Sequence, residues 1–255
     1  MVFAINHPLV VFVGSFVAMC VAERAGAWWA RRRPAEESDA RETFNVVQGA
    51  TLTLLGLIIG FSFSMAISRY DQRKNLEEAE ANAIGTEYVR LDLLPTQDAA
   101  RLRPMLVNYL EHRIAFYETT DRSKLPALTA RKNELQSALW SAVSAPASQA
   151  PNPVVALAVA GMNDVLNAEG YTQAAWWNRI PAAAWMLMLL IALGCNFLVG
   201  MGSRKSTSAL GVMLVLPLVV SISFMLIADI DSPRGGLIRV SPQNLHALQA
   251  SLPHG

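Results

Sequence analysis

Residues able to carry covalent chemistry are few and badly spaced in this chain. The four histidines, His7, His112, His246 and His254, are scattered, and none has a partner at metal-ligand or triad spacing. Glu111, His112 and Arg113 have the start of a helical zinc motif but lack the second histidine one turn on. No nucleophile has a base within a plausible spacing, and no glycine-rich loop offers backbone N–H groups to a phosphate. The chain is therefore read as not an enzyme. What the spacing does supply is a packing device: Gly49, Thr53, Gly56, Gly60, Ser64 and Ser68 recur every three or four residues and form one narrow stripe on a helix. Thr53, Leu57 and Phe61, each one turn apart on the adjoining face, are candidates to line an axis shared by several subunits. Apolar rings at a constriction gate ions by dewetting, and small neighbours let symmetry-related helices come close. The simpler reading is that the stripe packs this helix against another helix of the same subunit.

A second set of candidates is ionisable. Glu23 and Arg24 fall near the end of an apolar run, where charge is costly; adjacent in sequence, they point to different faces, with Glu23 expected to bond inside the helix bundle. Arg69 and Tyr70 follow the small-residue stripe and are read as anchors at the membrane interface. Glu87, Tyr88 and Arg90 are expected to satisfy one another or neighbouring helices.

These residues need elements to hold them, and composition says which. Only 16% of the 255 residues are charged and 53% are hydrophobic, against about 25% charged in ordinary soluble domains. A net charge of +1 gives no reason to expect nucleic acid. Four apolar runs stand out, residues 9–21 continuing to Arg31, Arg32 and Arg33, then 46–68, 180–201 and 210–228. A helix needs about 20 residues to cross about 30 Å of hydrocarbon, which the last three runs supply. The first lacks a basic start and a small-residue cleavage site, so it reads as a retained helix and not a signal peptide. Trp28, Trp29, Trp176, Trp177 and Trp185 are expected at headgroup level. Cys20 and Cys195 sit in apolar runs as small hydrophobes.

Residues 69–179, between the second and third runs, carry helical periodicity. Leu76, Ala79, Ala83, Tyr88 and Leu91 form an expected apolar stripe closed by Pro95, and residues 98–119 place Leu102, Leu106, Tyr109 and Phe116 on one face despite Pro104. Leu128, Leu135, Leu139 and Ala142 mark a third helix, residues 144–153 a linker, and residues 154–167 a fourth helix, with an extension through Gly170 to Ala175 as the alternative end. In the tail, Ser241 before Pro242 reads as an N-cap for a short helix over residues 243–251. The expected architecture is an all-α membrane protein with four transmembrane helices and a helical bundle inserted between the second and third: hairpin 1–68, bundle 69–179, hairpin 180–230, tail 231–255. Residues 60–76, GFSFSMAISRYDQRKNL, run from lipid into the bundle with no Gly or Pro break after Gly60. One uninterrupted rod is expected, able to transmit bundle rearrangement to the membrane part. Basic residues do not set the sidedness: Arg31, Arg32, Arg33, Arg41, Arg204 and Lys205 on one side face Arg69, Arg73, Lys74, Arg179, Arg234 and Arg239 on the other.

That same GFSFSMAISRYDQRKNL segment, with EEAEANAIGTEYVRLDLLP, MLVNYLEHRIAFYE and DIDSPRGGLIRVSP, resembles the bestrophin-like family of bacterial and plant membrane proteins, over about residues 43–240. The Gly60-Phe61 pair, eight to nine residues before Arg69-Tyr70, also resembles the second membrane helix of bestrophins, which are pentameric ion channels with four membrane helices per subunit. The resemblance implies an apolar neck at Thr53, Leu57 and Phe61; bulky apolar residues are usual there, so Thr53 implies a wider or wetter ring. It implies a cytosolic bundle and the bacterial inner (plasma) membrane. It also implies that Asp229 and Asp231 could hold calcium, although two carboxylates offer few of the oxygens a hard cation takes; otherwise no cofactor is expected, and Asp229 caps its helix or pairs with Arg234 or Arg239. The expected function is an oligomeric, anion-permeable channel whose partners are lipid, small ions and copies of itself. The alternative is a membrane-anchored helical sensor or scaffold that binds a ligand or partner protein.

Overall fold

The computed structural model describes residues 7–32, 38–149, 152–202 and 213–253, and among them all regular structure is helical. The expected positions Arg33, Arg204, Lys205 and His254, the start of the fourth apolar run at residues 210–212, and residues 150–151 of the linker lie outside that set. The helices are α1 (Pro8–Arg31), α2 (Ser38–Arg90), α3 (Thr96–Glu118), α4 (Leu125–Gln149), α5 (Pro153–Trp177), α6 (Ala182–Gly202), α7 (Val215–Asp231) and α8 (Gln243–Ser251). They divide into two compact units, Met1–Arg69 with Arg179–Arg239, and Tyr70–Asn178 with Val240–Gly255.

In the first unit α1 packs on α6 and α7. Pro8 opens α1 at its first turn, where its missing N–H costs nothing. Among the described residues, three helical stretches are long and apolar enough to cross a membrane, Pro8–Arg31, Arg41–Leu93 and Pro153–Gly202. α7 has 17 residues and is equally apolar in character, with Val220, Phe224 and Ile227 buried. The chain is thus a membrane protein by composition, length and helix content. Trp28 and Trp29 are exposed, with the Arg32 guanidinium 3.8 Å above the Trp28 ring. Trp177 is exposed as well, whereas two of the expected belt tryptophans are buried: Trp185 lies edge-on against Phe224, at 6.2 Å, and Trp176 lies in the second unit's core against Phe116 and Tyr117. Each ring finds aromatic neighbours, which bury more of its area than a headgroup layer would.

α2 is helical without a break across residues 38–90, 53 residues and about 80 Å at 1.5 Å per residue. Its last part, with α3, α4, α5 and α8, forms the second unit around Ile84, Leu91, Leu102, Leu106, Leu139, Met162 and Leu245. The linker expected from residue 144 starts later, because α4 continues to Gln149 through Pro146. Proline cannot donate to the carbonyl four residues back, and here Arg101 Nη2 takes that place on Ala142 O at 3.2 Å. α5 extends beyond the expected end at Asn167 and passes through Gly170 to Trp177; Asn152 caps its start, its side chain accepting from Val154 N at 2.9 Å.

Candidate functional site

The membrane part of α2 has two unlike faces. Leu55, Ser62 and Ala66 are buried within the chain. Thr53, Leu57, Phe61, Ser64 and Ser68 are exposed, Leu57 at 52% and Phe61 at 63%. A Cβ built at Gly49, Gly56 or Gly60 would meet nothing within 4 Å. Among the described residues, then, no side chain or backbone of another helix packs onto these three glycines. Thr53 Oγ1 donates back to Gly49 O at 3.0 Å, which satisfies its proton inside the helix.

The close glycine crossing of the first unit lies elsewhere. Gly26 of α1 meets the backbone of Phe197 on α6, and Gly200 of α6 meets the backbone of Glu23 on α1. Cys195 is buried beside this seam and directs its thiol to Thr51 O at 3.4 Å; Cys20 and Cys195 are both free. Glu23 is buried and Arg24 exposed, so the two do part to different faces, but Glu23 Oε1 has no hydrogen-bond partner among the described residues.

Asp229 and Asp231 accept from separate sets of donors. The Asp229 carboxylate accepts from Leu237 N and Ile238 N, both at 2.8 Å, and so folds the chain back after α7. Asp231 is 0% exposed and accepts from Ile180 N at 3.1 Å, with Arg69 Nη1 at 3.5 Å and Arg179 Nε at 3.9 Å. Arg69, expected as a headgroup anchor, is thus tied to a buried carboxylate of its own unit. Tyr70 is partly buried against the core of the second unit.

Inside the second unit the inward face of α2 differs from the expected apolar stripe. Ala79 is exposed and Leu76, Ala83 and Tyr88 are half-buried; Arg73, Glu77, Glu80, Ile84, Glu87 and Leu91 point inward. The charged positions are tolerated because most are met. Glu80 bonds to Arg113 Nε, to Tyr117 Oη at 3.1 Å and to Thr172 Oγ1 at 3.2 Å. Glu169 takes Lys132 Nζ at 3.1 Å and lies 3.8 Å from Arg113. Burial works against the Arg113 charge, but Glu80, with Tyr109 and Glu169, holds its pKa above the ordinary value; burial likewise pushes the Tyr109 and Tyr117 phenols up. Such a network is bought at a desolvation cost and helps fix which helix faces which.

Glu77 caps α8. Its carboxylate accepts from Asn244 N and Leu245 N, both at 3.0 Å, and from Asn244 Nδ2 at 2.6 Å. The expected cap at Ser241 is replaced, since Pro242 occupies the N-cap position without a side-chain bond. Of Glu87, Tyr88 and Arg90, Arg90 pairs with Asp164 at 3.8 Å and the Tyr88 ring lies 5.5 Å under Arg103, while Glu87 is buried with no hydrogen-bond partner for either oxygen among the described residues. His112 bonds to Leu128 O at 2.9 Å, and burial lowers its pKa. A groove of about 900 Å³ between α3 and α8 is lined by Tyr88, Arg103, Asn108, Glu111, His246 and Gln249 among others. Among the described residues no cluster of three or more His, Cys, Asp or Glu side chains is arranged to hold a metal. Spacing alone held one signal for the charged interior: residues 73, 77, 80, 84, 87 and 91 follow one helical face, but such a face reads as solvated until its partners are known.

The sequence matches the Bestrophin-like domain family over residues 11–245. No curated protein matches it. Among solved structures, a bacterial bestrophin homologue from Klebsiella pneumoniae is similar at 14% identity and a TM-score of 0.64, over 96% of this chain and 99% of that one. A variant of a bestrophin homologue from the same organism, in which one tryptophan is replaced by alanine, is similar at 13% identity and TM-score 0.62, over 96% and 97% of the two chains. A structure described as a membrane protein with one glycine replaced by alanine follows at 14% identity and TM-score 0.60, over 96% and 99%.

Proposed function

The chain belongs to the Bestrophin-like family, and on that premise we propose that it is an oligomeric, anion-permeable ion channel in which second transmembrane helices surround a central apolar constriction. The observation that carries this reading is the bare face of α2. Among the described residues, nothing outside the helix's own backbone lies within 4 Å of a Cβ placed on Gly49, Gly56 or Gly60, while Leu57 and Phe61 beside them are exposed. Glycine inside a helix costs about 1 kcal/mol relative to alanine, a cost that close approach of another helix offsets and that lipid does not. Copies of α2 meeting along this stripe would turn Thr53, Leu57 and Phe61 toward the common axis. The inward bond of Thr53 to Gly49 O supports a less polar ring at that level than a free hydroxyl would make.

The assembly we propose is a pentamer by resemblance, in the bacterial inner (plasma) membrane, with four crossings formed by α1, α2, α6 and α7 and the inserted bundle in the cytosol. Asp229 and Asp231 serve as acceptors for backbone N–H groups and arginines in this reading, and calcium has no part in it. Flux through liposomes containing the purified protein tests the channel, together with the mass of the detergent-solubilised particle. A single closed oligomer with anion flux that changes in Leu57→Ala and Phe61→Ala is expected. A monomer without flux under varied pH, salt and calcium would overturn the reading.

One observation favours the second reading, a membrane-anchored sensor. The groove between α3 and α8 combines Arg103, Asn108 and His246 with apolar walls from Val107 and Leu252. Saturable small-molecule binding there, in a protein without flux, would favour it.

A further inference from the structure

We infer that Glu87 is a proton-binding site of the helical bundle, a buried carboxyl group whose proton keeps the seam between α2 and α5 tightly packed and whose release loosens it. Of the four buried glutamates of this unit among the described residues, Glu77, Glu80 and Glu169 each accept from two or more donors. Glu87 is 0% exposed, and neither of its oxygens has a hydrogen-bond partner among the described residues. α5 meets it at a glycine: a Cβ on Gly161 would clash with Glu87 Oε2 and lie 2.6 Å from Arg90 Nη1. The seam has no room for a further group.

The charged side chains acting on Glu87 are Arg90 of its own helix and Asp164 of α5. Arg90 borders the same seam at Gly161 and reaches Asp164 at 3.8 Å, where the two side chains are 34% and 66% exposed. Two turns earlier on the same face of α2, Glu80 is closed within its set of Arg113, Tyr117 and Thr172, with Glu169 and Lys132 beyond. Tyr88, next in sequence, lies under Arg103 of α3.

A carboxyl group so placed keeps its proton at neutral pH. Burial raises its pKa, Arg90 opposes and Asp164 adds, with a net value of about 8. Once ionised it needs a partner, and the cation within reach is Arg90. Arg90 Nη1 already borders Gly161 beside Glu87 Oε2, so to pair with the carboxylate it must turn from Asp164 into the buried seam, and the charges held out of water there loosen the packing of α2 on α5. The sign follows from linkage: because the folded state holds this proton more tightly than the unfolded chain, the stability it contributes is complete below the ordinary glutamate value. That contribution is lost as pH rises through about 8.

The test uses the full chain in detergent, titrated from about pH 6 to about pH 10 across the ordinary range of a perturbed carboxyl group. Infrared difference spectra should show a protonated carboxyl band lost with a midpoint near 8 and missing from Glu87→Gln. Amide exchange in α5 around Gly161, corrected for intrinsic rates, should rise over the same interval in the wild type and stay flat in Glu87→Gln. Asp164→Asn, which leaves the seam itself intact, should move the midpoint down. An identical band in Glu87→Gln, a midpoint in the ordinary glutamate range, or exchange in α5 that ignores the titration would overturn the inference. Each readout is independent of conduction, so a protein without flux and a protein without this titration are separate results.

Discussion

A matched pair of glycine replacements separates a contact made inside the subunit from one made between subunits. At Gly26 the added methyl of Gly26→Ala would overlap Phe197 O and come to 2.9 Å from Phe197 C and 3.1 Å from Met201 N, all backbone atoms of α6. Backbone inside a helix does not swing aside, so α1 and α6 must separate. Overpacking of this kind costs about 1–3 kcal/mol, and the rigidity of both partners places it at the upper end. Alanine returns about 1 kcal/mol of helix propensity, leaving a net loss of about 2 kcal/mol. At Gly60 the same change meets nothing within 4 Å among the described residues, so the subunit itself should gain about 1 kcal/mol, while any neighbour approaching the stripe is pushed away. Thermal unfolding in detergent, followed by circular dichroism, reads the first effect, and the mass of the solubilised particle reads the second. Gly26→Ala should melt early at unchanged oligomer mass; Gly60→Ala should shift mass toward smaller species without lowering the melting temperature of the dissociated subunit. If Gly60→Ala destabilises the isolated subunit as much as Gly26→Ala, the stripe is packed within the chain and the reasoning fails.

The remaining predictions concern the bundle. Glu80→Ala strands Arg113 in the core and should cost about 3–5 kcal/mol in chemical denaturation, whereas replacing Glu80 and Arg113 together by apolar residues of similar volume should restore much of it; equal costs for the single and double changes would refute a coupled pair. Glu77→Ala removes three hydrogen bonds from the start of α8 and should cost about 1–2 kcal/mol, read as faster amide exchange confined to Gln243–Ser251.

How far the chain could be understood from its residues depended on what kind of interaction was involved. Apolar runs of spanning length, the unbroken helix after Gly60 and the faces of Leu102, Leu106 and Tyr109 follow from local periodicity, because lipid and a helix's own backbone bonds leave few alternatives. The family likeness was legible for the same reason, carried by contiguous strings. The stripe from Gly49 to Ser68 could be seen as a stripe, yet not whether it faced inward or outward. Nor could the residues show that α1 and α6 close on a different glycine seam, at Gly26 and Gly200.

By itself the sequence determined an all-helical membrane protein of a recognisable family, with its small-residue helix and its short terminal helix. The tertiary structure alone decided which charges are buried. Glu77, Glu80 and Arg113 look like solvated surface until α3, α5 and α8 bring donors and acceptors from 33 to 168 residues away. A charge enters a core only when its partner arrives with it, and pairing across such separations leaves no periodic trace in the chain. Asp231 joins Arg69 and Ile180 in the first unit by the same rule, and Glu87, which the fold buries without a partner, is where that rule is left unsatisfied.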